Sequence, residues 1–179
     1  MAAKTKKRRA PDAIALLKGD HRKVAGLFKK FEEARGPAKA AIAREICLEL
    51  SVHTVLEETL FYPAVASKVE DDLMDESHVE HDSAKLLIAD ILSGKPSDPF
   101  FSAKVKVLSE VIKHHVKEEE QRGGLFTQAK KSSVDLVALR EVLEARKEKL
   151  VAQYKKSGIP TQLVRALGKP RVKAARPIA

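Results

Sequence analysis

Apolar residues return every three or four positions along most of this chain, the spacing that lays them in one stripe on an α-helix. The first stripe runs Ile14, Leu17, Val24, Phe28 and Phe31, between Pro11-Asp12 and the Arg35-Gly36-Pro37 break, and predicts a helix over about 12–34. A second follows Pro37 through Ile46, Leu50, Leu60 and Ala64, with Pro63 kinking or closing its last turn. The third opens in the acid-rich stretch 70–75, which suits a helix N-terminus, and reads Met74, Ser77, His81, Ala84, Ile88 and Ile91 before Ser93-Gly94. The fourth follows Pro99 with Phe101, Val105, Leu108, Ile112, His115 and Glu119, until Arg122-Gly123-Gly124 interrupts it. Leu125-Phe126 beyond the break echoes Leu60-Phe61, and a fifth, strongly charged helix is expected over about 134–156.

Short connections between the first four helices make neighbours antiparallel. The expected fold is all-α: an up-down-up-down antiparallel four-helix bundle with an extra C-terminal helix and basic tails. Residues 1–10 read as a basic N-terminal tail, 11–157 as the bundle domain and 158–179 as a basic C-terminal tail.

Each of the four stripes is broken by polar members. His21 fills the gap between Leu17 and Val24, His53 and Glu57 sit on the second stripe, His81 on the third, and His115 and Glu119 on the fourth. The two halves of the chain repeat one pattern, an isolated His followed 32 or 34 residues later by His-x-x-x-Glu-Glu. Four residues apart on a helix, the His and the first Glu share a face. At ~1.5 Å per residue, His21, Glu57 and His81 each lie about 14–15 Å from the same end of an antiparallel bundle. His115 and Glu119 reach that level if the fourth helix, or a continuation past the Gly pair, extends to about residue 130.

A single His on an apolar stripe is usually a hydrogen-bonded core residue. Four at one level, with two carboxylates that would otherwise be buried among Leu, Ile and Phe, call for a cation. Four imidazoles and two shared carboxylates suit two ions, two nitrogens on each, with coordination positions left for a bridge, water or a small ligand. The donor types fit iron, manganese or zinc. Cys47 is the only cysteine, so a thiolate cluster is excluded. The order His-x-x-x-Glu differs from the Glu-x-x-His of ferritin-like sites. His78 and His114 flank the stripes and are set outside the ligand set, while Glu58, Glu120, Asp20 and Glu80 adjoin it in sequence and are candidates for supporting roles.

The formal net charge of +9 resides at the ends. Residues 1–9 carry five cations and no acid, and residues 155–179 carry seven and no acid, which leaves −3 for the middle. Such ends suit a solvated terminus or a nucleic-acid or acidic partner, and they lack the interleaved aromatics of a single-strand binder. No apolar run approaches the length of a membrane span, and the N-terminus has no apolar stretch of a secretory signal. A cytoplasmic location is the default expectation.

Together, Gly19-Asp20-His21, His53-x-x-x-Glu57-Glu58 with Phe61-Tyr62-Pro63, Glu80-His81 and His114-His115-x-x-x-Glu119-Glu120 resemble the hemerythrin-like, HHE cation-binding family over roughly residues 12–150. The resemblance implies two iron ions with an oxo or hydroxo bridge, Glu57 and Glu119 spanning them, and His21, His53, His81 and His115 as end ligands. It is nearer to four-His, two-Glu members than to five-His oxygen carriers, because His78 stands three residues before His81, one too few, and Glu119 replaces the carriers' Asp. The expected function is a di-iron protein binding or reacting with peroxide, O₂ or NO in oxidative or nitrosative stress or in iron handling. The alternative is an O₂ or iron sensor without turnover.

Overall fold

The computed structural model describes residues 10–161 and 164–167; residues 1–9 and 168–179, which carry most of the basic tails, lie outside the described residues. Four long helices form the bundle: α1 (Ala13–Glu33), α2 (Pro37–Leu56), α4 (Asp71–Ser93) and α5 (Phe101–Glu120). Between α2 and α4 the chain passes through a π-helical turn, Glu57–Phe61, the short α3 (Tyr62–Val65) and a 3₁₀ turn, Ala66–Lys68. After α5 come the short α6 (Leu125–Ala129) and the long α7 (Leu136–Ser157).

Caps account for several boundaries. The Asp12 carboxylate accepts from the Ala15 N–H at 2.8 Å to start α1, and Asp135 accepts from Val137 and Ala138 to start α7. Pro37 occupies the first turn of α2, where a missing N–H costs nothing.

Helices α1, α2, α4 and α5 close a ring, each packing on the next and α5 on α1, while α7 lies across α1 and α2. Lys39 near the start of α2 bonds Ser102 near the start of α5, so those two helices begin at one end of the bundle, as antiparallel order requires. The apolar stripes form two cores. One gathers Ile14, Leu17, Leu56, Phe61, Phe126, Leu143 and Leu150; the other gathers Val24, Phe28, Ile46, Leu50, Ile88, Val105 and Leu108. His21, His53, His81 and His115 lie in the layer between them.

The second stripe departs from the sequence expectation. Beyond Glu57 the buried apolar residues are Phe61, Tyr62 and Val65, not Leu60 and Ala64, which are only half-buried. The π turn inserts one residue, with the Tyr62 N–H reaching back five positions to the Glu57 carbonyl, and shifts the register by one. Pro63, which has no N–H to give to position 59, follows directly on this widened turn.

The fourth helix ends at Glu120, and α6 is its separate continuation. Gly123 has φ +86°, and a Cβ on Gly124 would stand 2.1 Å from the Glu118 carbonyl oxygen. Only glycine permits the chain to fold back so closely, and the fold-back delivers Leu125 and Phe126 beneath the polar layer. Gly124→Ala is expected to lower stability by ~2 kcal/mol or more, whereas Gly26→Ala in α1, where an added methyl meets nothing, is expected to raise it by ~0.5–1 kcal/mol. Urea midpoints of the two variants test this; equal midpoints would overturn the close-approach account.

Candidate metal centre

All six stripe residues meet. His21 Nε2 lies 3.1 Å from His53 Nε2, and His81 Nε2 lies 3.3 Å from His115 Nε2, giving two imidazole pairs. Glu57 Oε2 lies between the pairs, 3.1 Å from His53 Nε2 and 3.3 Å from His81 Nε2. Glu119 Oε2 does the same from the other side, 3.4 Å from His21 Nε2 and 3.5 Å from His115 Nε2. The groups divide into two overlapping sets able to hold a metal ion, His21, His53, Glu57 and Glu119 in one and Glu57, His81 and His115 in the other. Both glutamates are fully buried.

Consecutive residues on a helix point about 100° apart, so Glu57 faces the centre while Glu58, also buried, turns toward His81, as Glu119 and Glu120 do on α5.

Each imidazole presents Nε2 inward and Nδ1 outward, and each Nδ1 faces a carboxylate. Glu120 lies 2.7 Å from His21 Nδ1, Glu58 3.1 Å from His81 Nδ1, Glu80 2.9 Å from His115 Nδ1, and Asp20 3.6 Å from His53 Nδ1. These carboxylates are held in turn by a cation or imidazole: Glu120 by Lys18 at 2.8 Å, Glu58 by Lys85 at 2.6 Å, Asp20 by Lys147 from α7, and Glu80 by His114 at 3.3 Å. An outward Nδ1–H bonded to a carboxylate leaves the Nε2 lone pair free to face a metal. Glu58, Glu120, Asp20 and Glu80, the sequence neighbours of the stripe residues, thus all touch or approach a ring. His78 and His114 are not among the six; His78 stands edge-on to Tyr62 at 5.6 Å, and His114 is exposed.

Two residues of the layer carry chemistry that the stripe pattern did not single out. The Tyr62 hydroxyl is 3.0 Å from Glu119 Oε1 and 3.4 Å from Glu57 Oε2, with its ring stacked on His81. Tyr62 stood in the sequence only as part of Phe-Tyr-Pro, and the register shift is what buries it. Asp82, fully buried, accepts from the backbone N–H groups of Arg165, Ala166 and Leu167 at 2.5–3.0 Å and from Lys85 at 3.0 Å. Lys85 also reaches Glu58, and Arg165 Nε lies 3.5 Å from Glu58 Oε2. The segment after α7 is thereby tied to the carboxylate behind His81, and Ile159 packs against both cores. This part of the basic C-terminal stretch is bound to the bundle.

Without a cation the layer carries conflicting charges. Burial pushes the Glu119 carboxyl up, the Glu57 charge adds to it, and the group reaches about 8. Burial would raise Glu57 as well, but His53 and its hydrogen bonds to three imidazoles hold it well below the usual carboxylate range. His53 is lowered by burial yet raised further by Glu57 and Asp20, to about 10. His21, dominated by burial, falls to about 4. Burial and both glutamates push the Tyr62 phenol well above its ordinary value. Glu57 Oε1 and Glu119 Oε2 are buried without a hydrogen-bond partner among the described residues. A layer with unpartnered carboxylate oxygens and facing Nε2 lone pairs fits metal ions.

A family model, the hemerythrin HHE cation binding domain, matches residues 12–122. A crystal structure of a hemerythrin HHE cation binding domain-containing protein from Mycobacterium kansasii superposes with a TM-score of 0.70 at 25% identity, covering 82% of this chain and 94% of that one. A DNA nickase from Nostoc sp. is 30% identical over 106 residues, which is 59% of this chain and 30% of that protein's length.

Proposed function

The chain belongs to the hemerythrin HHE cation-binding family, and on that premise we propose that it holds two iron ions between His21, His53, Glu57, His81, His115 and Glu119 and reacts there with peroxide, O₂ or NO. The observation that carries this reading is the placing of one oxygen of each glutamate between the two imidazole pairs. Nitrogen and carboxylate donors suit iron, with manganese and zinc as the other candidates. Cys47 lies in the core cluster with Val24 and Ile88, and burial raises its thiol to about 12, so it is no thiolate ligand.

An iron pair supplies the exchange of electrons with a small oxidant. The residues do the rest. The outward carboxylates fix the ring orientations, and the Lys partners on α1, α4 and α7 fix the carboxylates. Tyr62 Oη keeps its proton at neutral pH and donates it as a hydrogen bond toward Glu119 Oε1, steadying that carboxylate. Phe61 and Phe126, with Phe126 stacked on His21 at 5.8 Å, keep water from the lower side of the layer. This environment serves stress defence or iron handling, and a cytoplasmic setting supplies the iron.

Iron-reconstituted protein is expected to hold two irons per chain and to consume peroxide or NO over many turnovers, with His53→Ala losing both metal and turnover. Metal analysis and oxidant-consumption assays check it. One zinc per chain would overturn the iron pair, and stoichiometric reaction alone would overturn the enzyme.

Loading has a definite pH dependence. At neutral pH His53, at about 10, and Glu119, at about 8, hold protons that must leave before either group takes a cation. Metal affinity therefore rises with pH and loading releases protons. Calorimetry in buffers of different ionisation enthalpy measures the release; an enthalpy independent of buffer would exclude it.

One observation supports the sensor alternative, the Asp82 contacts that tie residues 165–167 to the carboxylate behind His81. In that reading iron stabilises the bundle and protects the C-terminal segment. Limited proteolysis after residue 155 is then expected to slow on iron loading; an unchanged rate would remove it. For DNA or another acidic partner of the basic tails, the likeness to a DNA nickase is the only added ground, and the tails fall largely outside the described residues.

A further inference from the structure

Most sides of the six-residue layer are closed by packed or ion-paired side chains. Glu58, Lys85, Asp82 and Arg165 cover the α2–α4 side, and Asp20 with Lys147 covers the side under α7. Glu80 and His114 cover α4–α5, and Phe61, Tyr62 and Phe126 floor the layer. The side between α1 and α5 carries an ion pair of its own, Lys18 with Glu120 against His21, but beside that pair the packing opens. A cleft of about 290 Å³ enters there, walled by Ala25 and Phe28 from α1 and Ile112 and Val116 from α5, and it ends on His21.

Behind it lies a void of about 10 Å³ bounded by His21, His53, His81 and His115. His21, Ile112 and Val116 line both spaces, so these three side chains are the partition between the cleft and the centre. Ile112 and Val116 are only half-buried, one turn apart on α5. Each holds one strongly preferred χ1 rotamer on a helix, so the partition is closed at rest and a ligand passes only during a brief side-chain excursion. The void is about the size of a single water-sized probe, which limits what passes to molecules of two or three atoms.

A second observation points to an occupant. Ser109 lines the same cleft and is 3% exposed, and its hydroxyl has no hydrogen-bond partner among the described residues. The larger cleft of about 660 Å³, between Lys23, Arg44, Tyr154 and Ile159, touches none of the six residues.

We propose that the α1–α5 cleft is the port through which a small uncharged ligand reaches the centre, with Ile112 and Val116 as its size-selecting gate and Ser109 as a hydrogen-bonding stop on the way. The proposal rests on the metal reading above for its destination, while the cleft itself binds apolar gas whether or not metal is present. Charged groups at the mouth, Lys29, Glu32 and Lys113, keep the rim wet, and the walls below are apolar. An uncharged diatomic gains by leaving water for such walls, whereas an anion loses its hydration.

The test uses the full chain. Xenon under pressure is expected to occupy the cleft in crystals of the wild type and to be absent from Ala25→Trp, a substitution at an exposed position that caps the cleft without entering the core. In iron-loaded protein, stopped-flow association of NO is expected to slow about tenfold or more in Ala25→Trp and to quicken several-fold in Ile112→Ala, with iron content and the absorption spectrum unchanged. Xenon elsewhere, or NO rates unmoved by both variants, overturns the port. A chain that binds no metal sinks the reading above instead, and the xenon result still decides the cleft.

Discussion

Six ionisable side chains buried in one layer between two apolar cores are the constraint around which this protein is built. Two fully buried carboxylates cannot both carry charge among Leu and Phe unless positive charge meets them. In the metal-free chain Glu119 keeps its own proton at neutral pH, and the protons on His53 and His115 meet the charge of Glu57. The surroundings follow from the same need. Outward nitrogens are matched by carboxylates, three of those carboxylates by lysines, and one of the lysines is drawn from α7. The fifth helix is therefore part of the electrostatic frame as well as a cover for α1 and α2.

The layer has an approximate twofold design. His21 and His53 from the first half face one another, as do His81 and His115 from the second. The outward pairings also obey it: His53 takes Asp20 and His115 takes Glu80 from their own halves, while His21 takes Glu120 and His81 takes Glu58 from the opposite half. The symmetry ends just below. One half turns the corner with a π-helical turn and Tyr62; the other breaks at Gly123-Gly124, and its counterpart of Tyr62 is Thr127. A single phenol thus serves both glutamates.

The helices and the six polar stripe residues were legible because burial on a helix repeats with the helix itself. The pairing of Glu58 and Glu120 with His rings was half legible, since each adjoins a stripe residue. The one-residue slip after Glu57 was not: nothing in the spacing of Leu60, Phe61 and Tyr62 separates an α turn from a π turn, and the outcome depends on Pro63 and on which ring fits beneath His81. Nothing in the sequence pattern marks Lys18, Lys85 or Lys147. Their roles exist only once helices distant in sequence are side by side.

The backbone clasp on Asp82 joins residues 82 and 165–167, which lie far apart in the order of synthesis. The chain-entropy cost of closing a loop rises only slowly with its span, so this long closure costs little more than a short one. Three backbone donors on one buried carboxylate hold the segment after α7 against the outer side of His81, and the far end of the described chain thereby bears on the orientation of one ring at its centre.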